Sequence, residues 1–192
     1  ISILKKIYDE KIIIANIGKT VAFKEKKNLI IHNSTNYPVI TMSSENKKDL
    51  KYLDLLKKIL KVINFKVKIY NSDNFVIWNK LIRISALSSI TALYNTNLGM
   101  IRNSKNKKNQ LISILRESIK LANKKNLRFR YKDIIEEIDS FPNSLTTSMQ
   151  RDIANKKKSE IETLLGGVLT EAKKENLDLR TSKEIYKLLK KK

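Results

Sequence analysis

A lysine set among apolar neighbours, Trp78-Asn79-Lys80-Leu81, is the first place in this chain where a side chain could do chemistry. Most of its other lysines stand in polar runs. Desolvation lowers a lysine's pKa, and a partly buried ammonium facing a ketone can donate a proton or stabilise a developing alkoxide. A second group lies downstream in Thr147-Ser148-Met149-Gln150-Arg151-Asp152. Ser148 and Asp152 are four residues apart, so one helical face would carry a hydroxyl beside a carboxylate. Glu160, in Lys158-Ser159-Glu160-Ile161-Glu162, opens a further helical pattern near its positive end. Taken singly, each has a plainer reading: Ser148 as a cap, Asp152 as a solvated acid, Glu160 as a first-turn dipole partner, and Lys80 as a stem running out to water.

Composition removes much of the remaining chemistry. The 192 residues contain no Cys and one His, so disulfides, thiolate nucleophiles, zinc–thiolate sites and multi-histidine metal clusters are excluded, and no metal is expected. His32 reads as an ordinary strand residue. With only four glycines, at 18, 99, 166 and 167, the chain holds neither GxGxxG nor GxxxxGK[ST]. Forty Lys and Arg against nineteen Asp and Glu give a net charge of +21. That excess has the sign a nucleic-acid binder needs, but only seven of the forty are Arg, the residue suited to bidentate phosphate and base contacts. Lys, Ile and Asn share A/T-rich codons, so biased base composition accounts for the charge without a polyanionic partner. No apolar run approaches the roughly 20 residues of a membrane span, no signal-peptide pattern is present, and the expected location is the cytoplasm.

The elements that must position these residues fall into two parts. Residues 1–72 read as β-rich, with short β-branched runs at 11–17, 20–24, 28–33 and 37–42. A helix follows over 48–64, with Leu50, Leu53, Leu56, Ile59, Leu60 and Ile63 on one face, and then an alternating strand over 65–70. From residue 73 the pattern is helical. Ser72 and Asp73 are capping candidates for a long helix over 74–94, with Gly99 beyond its end. Further helices are expected over 109–124, 131–138, 147–155 and 160–174, with a break at Phe141-Pro142-Asn143 and a last helix capped by Ser182. Lys105–Lys108, Lys156–Lys158 and Lys190–Lys192 fit solvated connections and helix ends.

As an ordered set, Trp78-x-Lys80-Leu81, Ser148-Met149-x-x-Asp152 and Ser159-Glu160-Ile161 ahead of Gly166 resemble the C-terminal half of the ketopantoate reductases (2-dehydropantoate 2-reductases). The order and the interval from lysine to serine are those of the family. The Leu29-Ile30-Ile31-His32 run resembles a strand in the last part of that family's nucleotide-binding domain. The fold so implied is α-rich, α+β. Residues 73–192 form an all-α domain like the C-terminal domain of 6-phosphogluconate dehydrogenase, and residues 1–72 form the end of a Rossmann-like α/β domain. The chain would then be a piece of an NADPH-dependent oxidoreductase that reduces 2-dehydropantoate to pantoate for pantothenate and coenzyme A synthesis.

By that resemblance Lys80 is the general acid and Glu160 hydrogen-bonds the substrate and lies against the cofactor. Ser148 holds the substrate carboxylate, Ser88 lines the substrate site, and Asp152 supports it. The chain departs from the family in three respects. Ile84 and Ser88 stand where the family has asparagines, Leu165 replaces the asparagine before Gly166, and the glycine-rich fingerprint is missing. NADPH would therefore be held mainly by a portion outside this chain, which should not bind it tightly alone. Alternatives are a reductase of a different 2-oxoacid, a noncatalytic helical domain serving homodimerisation, or a basic nucleic-acid-binding domain.

Overall fold

The computed structural model describes residues 13–18, 21–33, 38–46 and 49–192. The 11–17, 20–24 and 37–42 runs and the 48–64 helix lie partly outside them, at 11–12, 20, 37 and 48. The chain divides into two compact units, Ile1–Trp78 and Asn79–Lys192.

The first unit contains β1 (Ile14–Gly18), β2 (Val21–Lys26), β3 (Leu29–Asn33), β4 (Val39–Ser43), α1 (Leu50–Val62) and β5 (Lys66–Tyr70). Strands β1, β4 and β5 form one sheet in the order β1-β4-β5. β1 runs antiparallel to β4, with Ile14 opposite Ser43, whereas β5 runs parallel to β4, with Val39 opposite Lys66. A parallel neighbour needs a crossover, and α1 supplies it. β2 and β3 form a separate antiparallel hairpin with a bulge between Lys24 and Lys26, and His32 lies in β3 opposite Ala22.

The sheet is tied to the first turns of α2 (Asp73–Tyr94). Ser43 Oγ donates to Asp73 Oδ1 at 2.7 Å, Asn16 Nδ2 donates to the Val76 carbonyl at 2.9 Å, and the rings of Tyr70 and Phe75 lie 4.8 Å apart. Ser72 does cap this helix, its Oγ accepting from the Phe75 N–H at 3.2 Å. On α1 the expected inward face is largely unburied: Leu53 is buried, while Leu50, Leu56, Ile59 and Ile63 are exposed.

The second unit is built around the rest of α2, where every residue from Ser85 to Ala92 is buried. Such enclosure favours small side chains, and the hydroxyls among them turn back onto the helix: Ser85 Oγ donates to the Ile82 carbonyl and Thr91 Oγ1 to that of Leu87. Around it lie α3 (Leu98–Arg102), α4 (Lys105–Lys124), α5 (Tyr131–Asp139), α6 (Ser148–Ala154), α7 (Gly167–Lys174) and α8 (Arg180–Leu189). Leu98, Ile114, Leu115, Leu121, Met149, Leu165 and Val168 are fully buried.

Several helix ends differ from the sequence expectations. α4 begins four residues early, because Ser104 Oγ accepts from the Lys107 N–H and draws the 105–108 run into the first turn. α2 ends on Asn95 rather than near a glycine. Gly99 instead sits inside α3, where a Cβ would come 2.9 Å from the Asn143 Cβ. The last helix starts at Arg180, and Ser182 is buried within it. Glu117 of α4 provides the cap, accepting from the N–H groups of Thr181 and Ser182 at 2.8 and 2.9 Å and from Ser182 Oγ at 2.6 Å. A carboxylate from another helix replaces the local serine cap, and it also complements the helix dipole.

Among the described residues, five that are not glycine, Asn64, Asn95, Asn126, Lys156 and Asn176, have left-handed backbones with φ between 45 and 63°. Each terminates a helix. In each case the next residue's N–H bonds back five positions, as from Leu127 to Ala122 and from Leu177 to Ala172. Asparagine tolerates this region better than other side chains, and in this glycine-poor chain it takes glycine's usual place.

Candidate active site

One face of α2 organises the candidate residues. At 3.6 residues per turn, Lys80, Ile84, Ser88 and Thr91 fall within about 80° of arc, and Lys80 and Thr91 are separated by about 16 Å of helix axis. Burial rises along the strip: Lys80 is exposed, Ile84 half-buried, and Ser88 and Thr91 are buried. The exposure of Lys80 corrects the partly desolvated lysine expected above. Its apolar neighbours Trp78 and Ile82 are buried, but two residues along a helix is more than half a turn, so they line the opposite side.

The buried end of the strip receives α6. The Thr147 hydroxyl lies 2.8 Å from that of Thr91. Because the Thr91 proton goes to the Leu87 carbonyl at 2.8 Å, Thr147 is the donor of this pair. Thr147 Oγ1 also accepts from the Gln150 N–H, so Thr147, not Ser148, caps α6, and Ser148 becomes its first helical residue. Gln150 Nε2 donates to Asn95 Oδ1 at 3.3 Å, a second tie between the two helices. Ser148 itself is exposed, next to the residue that joins α6 to Thr91, and Asp152 follows one turn later, half-buried. No hydrogen bond among the described residues joins Lys80 or Glu160 to this group.

Glu160 is exposed and precedes a feature absent from the sequence reading. The expected single helix over 160–174 opens instead with a π-helical turn, Glu162–Gly166, before α7. The Gly166 N–H reaches the Ile161 carbonyl five residues back at 3.0 Å. Single π turns recur at functional sites. This one is clasped from α8: Tyr186 Oη and Lys190 Nζ both donate to the Glu162 carboxylate at 2.5 Å. Lys190 first and Tyr186 second hold the Glu162 carboxyl below its ordinary pKa, and Glu162 in turn raises those of Lys190 and Tyr186. A Cβ on Gly166 would lie 3.2 Å from Glu162 Oε2 and 3.3 Å from Tyr186 Cε2, so glycine lets the turn and α8 meet. The glycine was visible in sequence as part of a motif, but its contact with a side chain 20 positions later was not.

The acids around the site divide by what they hold. Glu162 is clasped, Glu117 caps α8, Glu137 accepts from Arg83 at 2.8 Å, and Glu171 pairs with Lys125 at 2.8 Å. By contrast the side chains of Lys80, Ser148, Asp152 and Glu160 make no hydrogen bond or ion pair among the described residues. These are groups left available to a ligand. Ile84, one turn from Lys80, offers only hydrocarbon.

No group of three or more metal-ligating side chains occurs among the described residues. Nor do the glycines form a phosphate cradle. Gly99 and Gly166 pack against Asn143 and Tyr186, and a Cβ on Gly18 or Gly167 would have a single neighbour, a carbonyl oxygen 4.0 Å away. No described helix is long and apolar enough to cross a membrane.

Residues 75–192 match the family model for the C-terminal part of ketopantoate reductase, PanE/ApbA. A search of curated proteins finds no match. Among solved structures, the chain is similar to D-mandelate dehydrogenase in a ternary structure with NADH and anilino(oxo)acetate. That match has TM-score 0.85 and 16% identity, covering 99% of this chain and 63% of the other. It is similar also to 2-dehydropantoate 2-reductase from Geobacter metallireducens GS-15, with TM-score 0.85 and 16% identity over 99% of this chain and 64% of that one. A dimeric ketopantoate reductase from Staphylococcus aureus gives TM-score 0.74 and 21% identity, over 93% and 61%. The chain thus spans less than two thirds of the length of each of these structures. The likenesses describe its fold: a helical domain preceded by part of a Rossmann-like one.

Proposed function

This chain belongs to the ketopantoate reductase family, and on that premise we propose that it is the substrate-holding part of a nicotinamide-dependent 2-oxoacid reductase. The finer reading is reduction of 2-dehydropantoate to pantoate with NADPH by a cytoplasmic homodimeric enzyme. Reducing a 2-oxoacid requires a hydride at the carbonyl carbon and a proton at its oxygen, and the residues of this chain bear on the proton. Lys80 Nζ donates it. A charge-assisted donor beside the carbonyl interacts more strongly with the developing alkoxide than with the ketone, so its interaction lowers the barrier rather than merely tightening binding.

Ser148 donates its hydroxyl proton to the substrate carboxylate. The engagement of its neighbour Thr147 with Thr91 and with the α6 cap supports this role. Glu160 accepts a hydrogen bond from a substrate hydroxyl, and Asp152 supports the position of Ser148. The cofactor phosphates are held mainly by parts of the polypeptide outside this chain, a reading supported by the lack of a GxGxxG pattern in its 192 residues.

The observation that carries the reading is the uncommitted state of Lys80, Ser148 and Glu160 in a unit whose other acids are largely engaged. The test is steady-state NADPH oxidation by the intact polypeptide with a panel of 2-oxoacids. Lys80→Ala is expected to lower kcat by about 10²–10⁴-fold, the usual contribution of a positioned acid, with unfolding unchanged. Undiminished turnover in that variant, or no turnover of any 2-oxoacid by the unaltered protein, overturns the proposal.

A further inference from the structure

Glu160 is tied by its backbone to the π turn that follows it. Its carbonyl accepts from the Leu164 N–H at 2.9 Å, four residues on, and from Thr163 Oγ1 at 3.0 Å, whereas the Gly166 N–H reaches back five residues to Ile161. A turn closed over five residues holds one more than an α turn, so whatever precedes it is rotated by about 100° relative to the helix that follows. The direction of Glu160 from α7 therefore depends on the turn being kept. Tyr186 of α8 touches both of its ends: the hydroxyl bonds Glu162 Oε2 at 2.5 Å, and a Cβ on Gly166 would lie 3.3 Å from ring atom Cε2. Lys190 holds the other Glu162 oxygen.

We propose that Glu162, clasped by Tyr186 and Lys190, is a positioning residue that keeps the π turn and so sets the rotation at which the Glu160 carboxylate meets the substrate. The inference rests on the reading of Glu160 as an acceptor for a substrate hydroxyl. It accounts for the contrast between two carboxylates two residues apart, Glu162 doubly bonded and Glu160 exposed without a partner among the described residues. Lys190 and Glu162 are both half-exposed, and such a surface pair contributes little to stability, so its effect on geometry is the larger one.

The test is a double-mutant cycle on the intact polypeptide, with KM for 2-dehydropantoate and kcat read from NADPH oxidation and the unfolding midpoint recorded for every variant. Glu160→Ala and Glu162→Ala are each expected to raise KM roughly three- to tenfold, the worth of one hydrogen bond, with a smaller change in kcat. Combined, they should be no worse than Glu160→Ala alone, because Glu162 acts only through that carboxylate. Glu162→Gln, which can still accept from Tyr186, should restore most of the loss. Lys183→Met breaks another exposed ion pair of α8, that with Asp178 at 2.6 Å, and should leave both constants unchanged. Effects that multiply in the combined variant, or an unchanged KM in Glu162→Ala beside a raised one in Glu160→Ala, overturn the positioning role and leave Glu160 as a substrate contact. An unchanged KM in Glu160→Ala overturns the reading of Glu160 and this inference with it.

Discussion

The two units of this chain bury their apolar residues to different extents. In the second, α4 aligns Leu111, Ile114, Leu115, Ile119 and Ala122 inward and all five are buried, as are Leu165, Val168 and Ile185 from the C-terminal segments. In the first, α1 is comparably amphipathic by pattern, yet its only buried residue is Leu53. Among the described residues, nine of the eleven exposed large apolar side chains lie in the first unit, and only Met100 and Leu188 in the second. Periodicity announces that a helix has an apolar face. Whether that face finds a partner depends on what else the polypeptide brings.

The sharpest way to break the contrast is to truncate one side chain in each unit. Leu115→Ala removes a fully buried residue and is expected to lower unfolding stability by about 2–5 kcal/mol, whereas Ile59→Ala in the isolated chain should change it by less than about 0.5 kcal/mol. Denaturant midpoints of the two variants measure this, and equal losses would erase the distinction. A smaller effect is expected at the tertiary cap. Glu117→Ala leaves the Thr181 and Ser182 N–H groups and the Ser182 hydroxyl without their acceptor, costing about 1–3 kcal/mol, with amide exchange accelerated first at the start of α8.

The smallest effect concerns the exposed clasp on the π turn. The Glu162 carboxyl is held below its ordinary pKa, so its contribution is present above the ordinary carboxylate value and is lost as pH falls through the lowered one. Lys190 is raised, so its contribution is present below the ordinary lysine value and is lost as pH climbs through the raised one. Both partners face water, and salt should therefore diminish the dependence. Chemical-shift titration of Glu162 with and without Tyr186→Phe checks the direction: the variant's carboxyl should titrate higher.

How far the molecule could be read from its residues follows the same division. Element types were legible where the period was unbroken, as in α2, α4 and the strands, because side-chain spacing alone selects them. The helical domain after a β-rich opening was legible for the same reason. Ends were less so, since they depend on partners far along the chain: Glu117 displaces Ser182 as a cap, and Thr147 precedes Ser148 in that role because Thr91 holds it in place. Lys80 drew notice for its apolar neighbours in sequence, yet those neighbours occupy the far side of its helix. Its exposure had to come from three dimensions. The π turn escaped because nothing in Glu162-Thr163-Leu164-Leu165-Gly166 separates it from an ordinary helical turn until Tyr186 arrives against the glycine.

The left-handed helix ends have a consequence at the level of the gene. Glycine requires codons beginning with two guanines, asparagine codons beginning with two adenines. Four of the five reversed backbones among the described residues are occupied by asparagine, whose short amide can enter that conformation with a tolerable penalty. Drift in nucleotide content can thus replace a fold's stop signals while leaving its stops in place. A reader who waits for glycine to end a helix in such a protein will run every helix on too far.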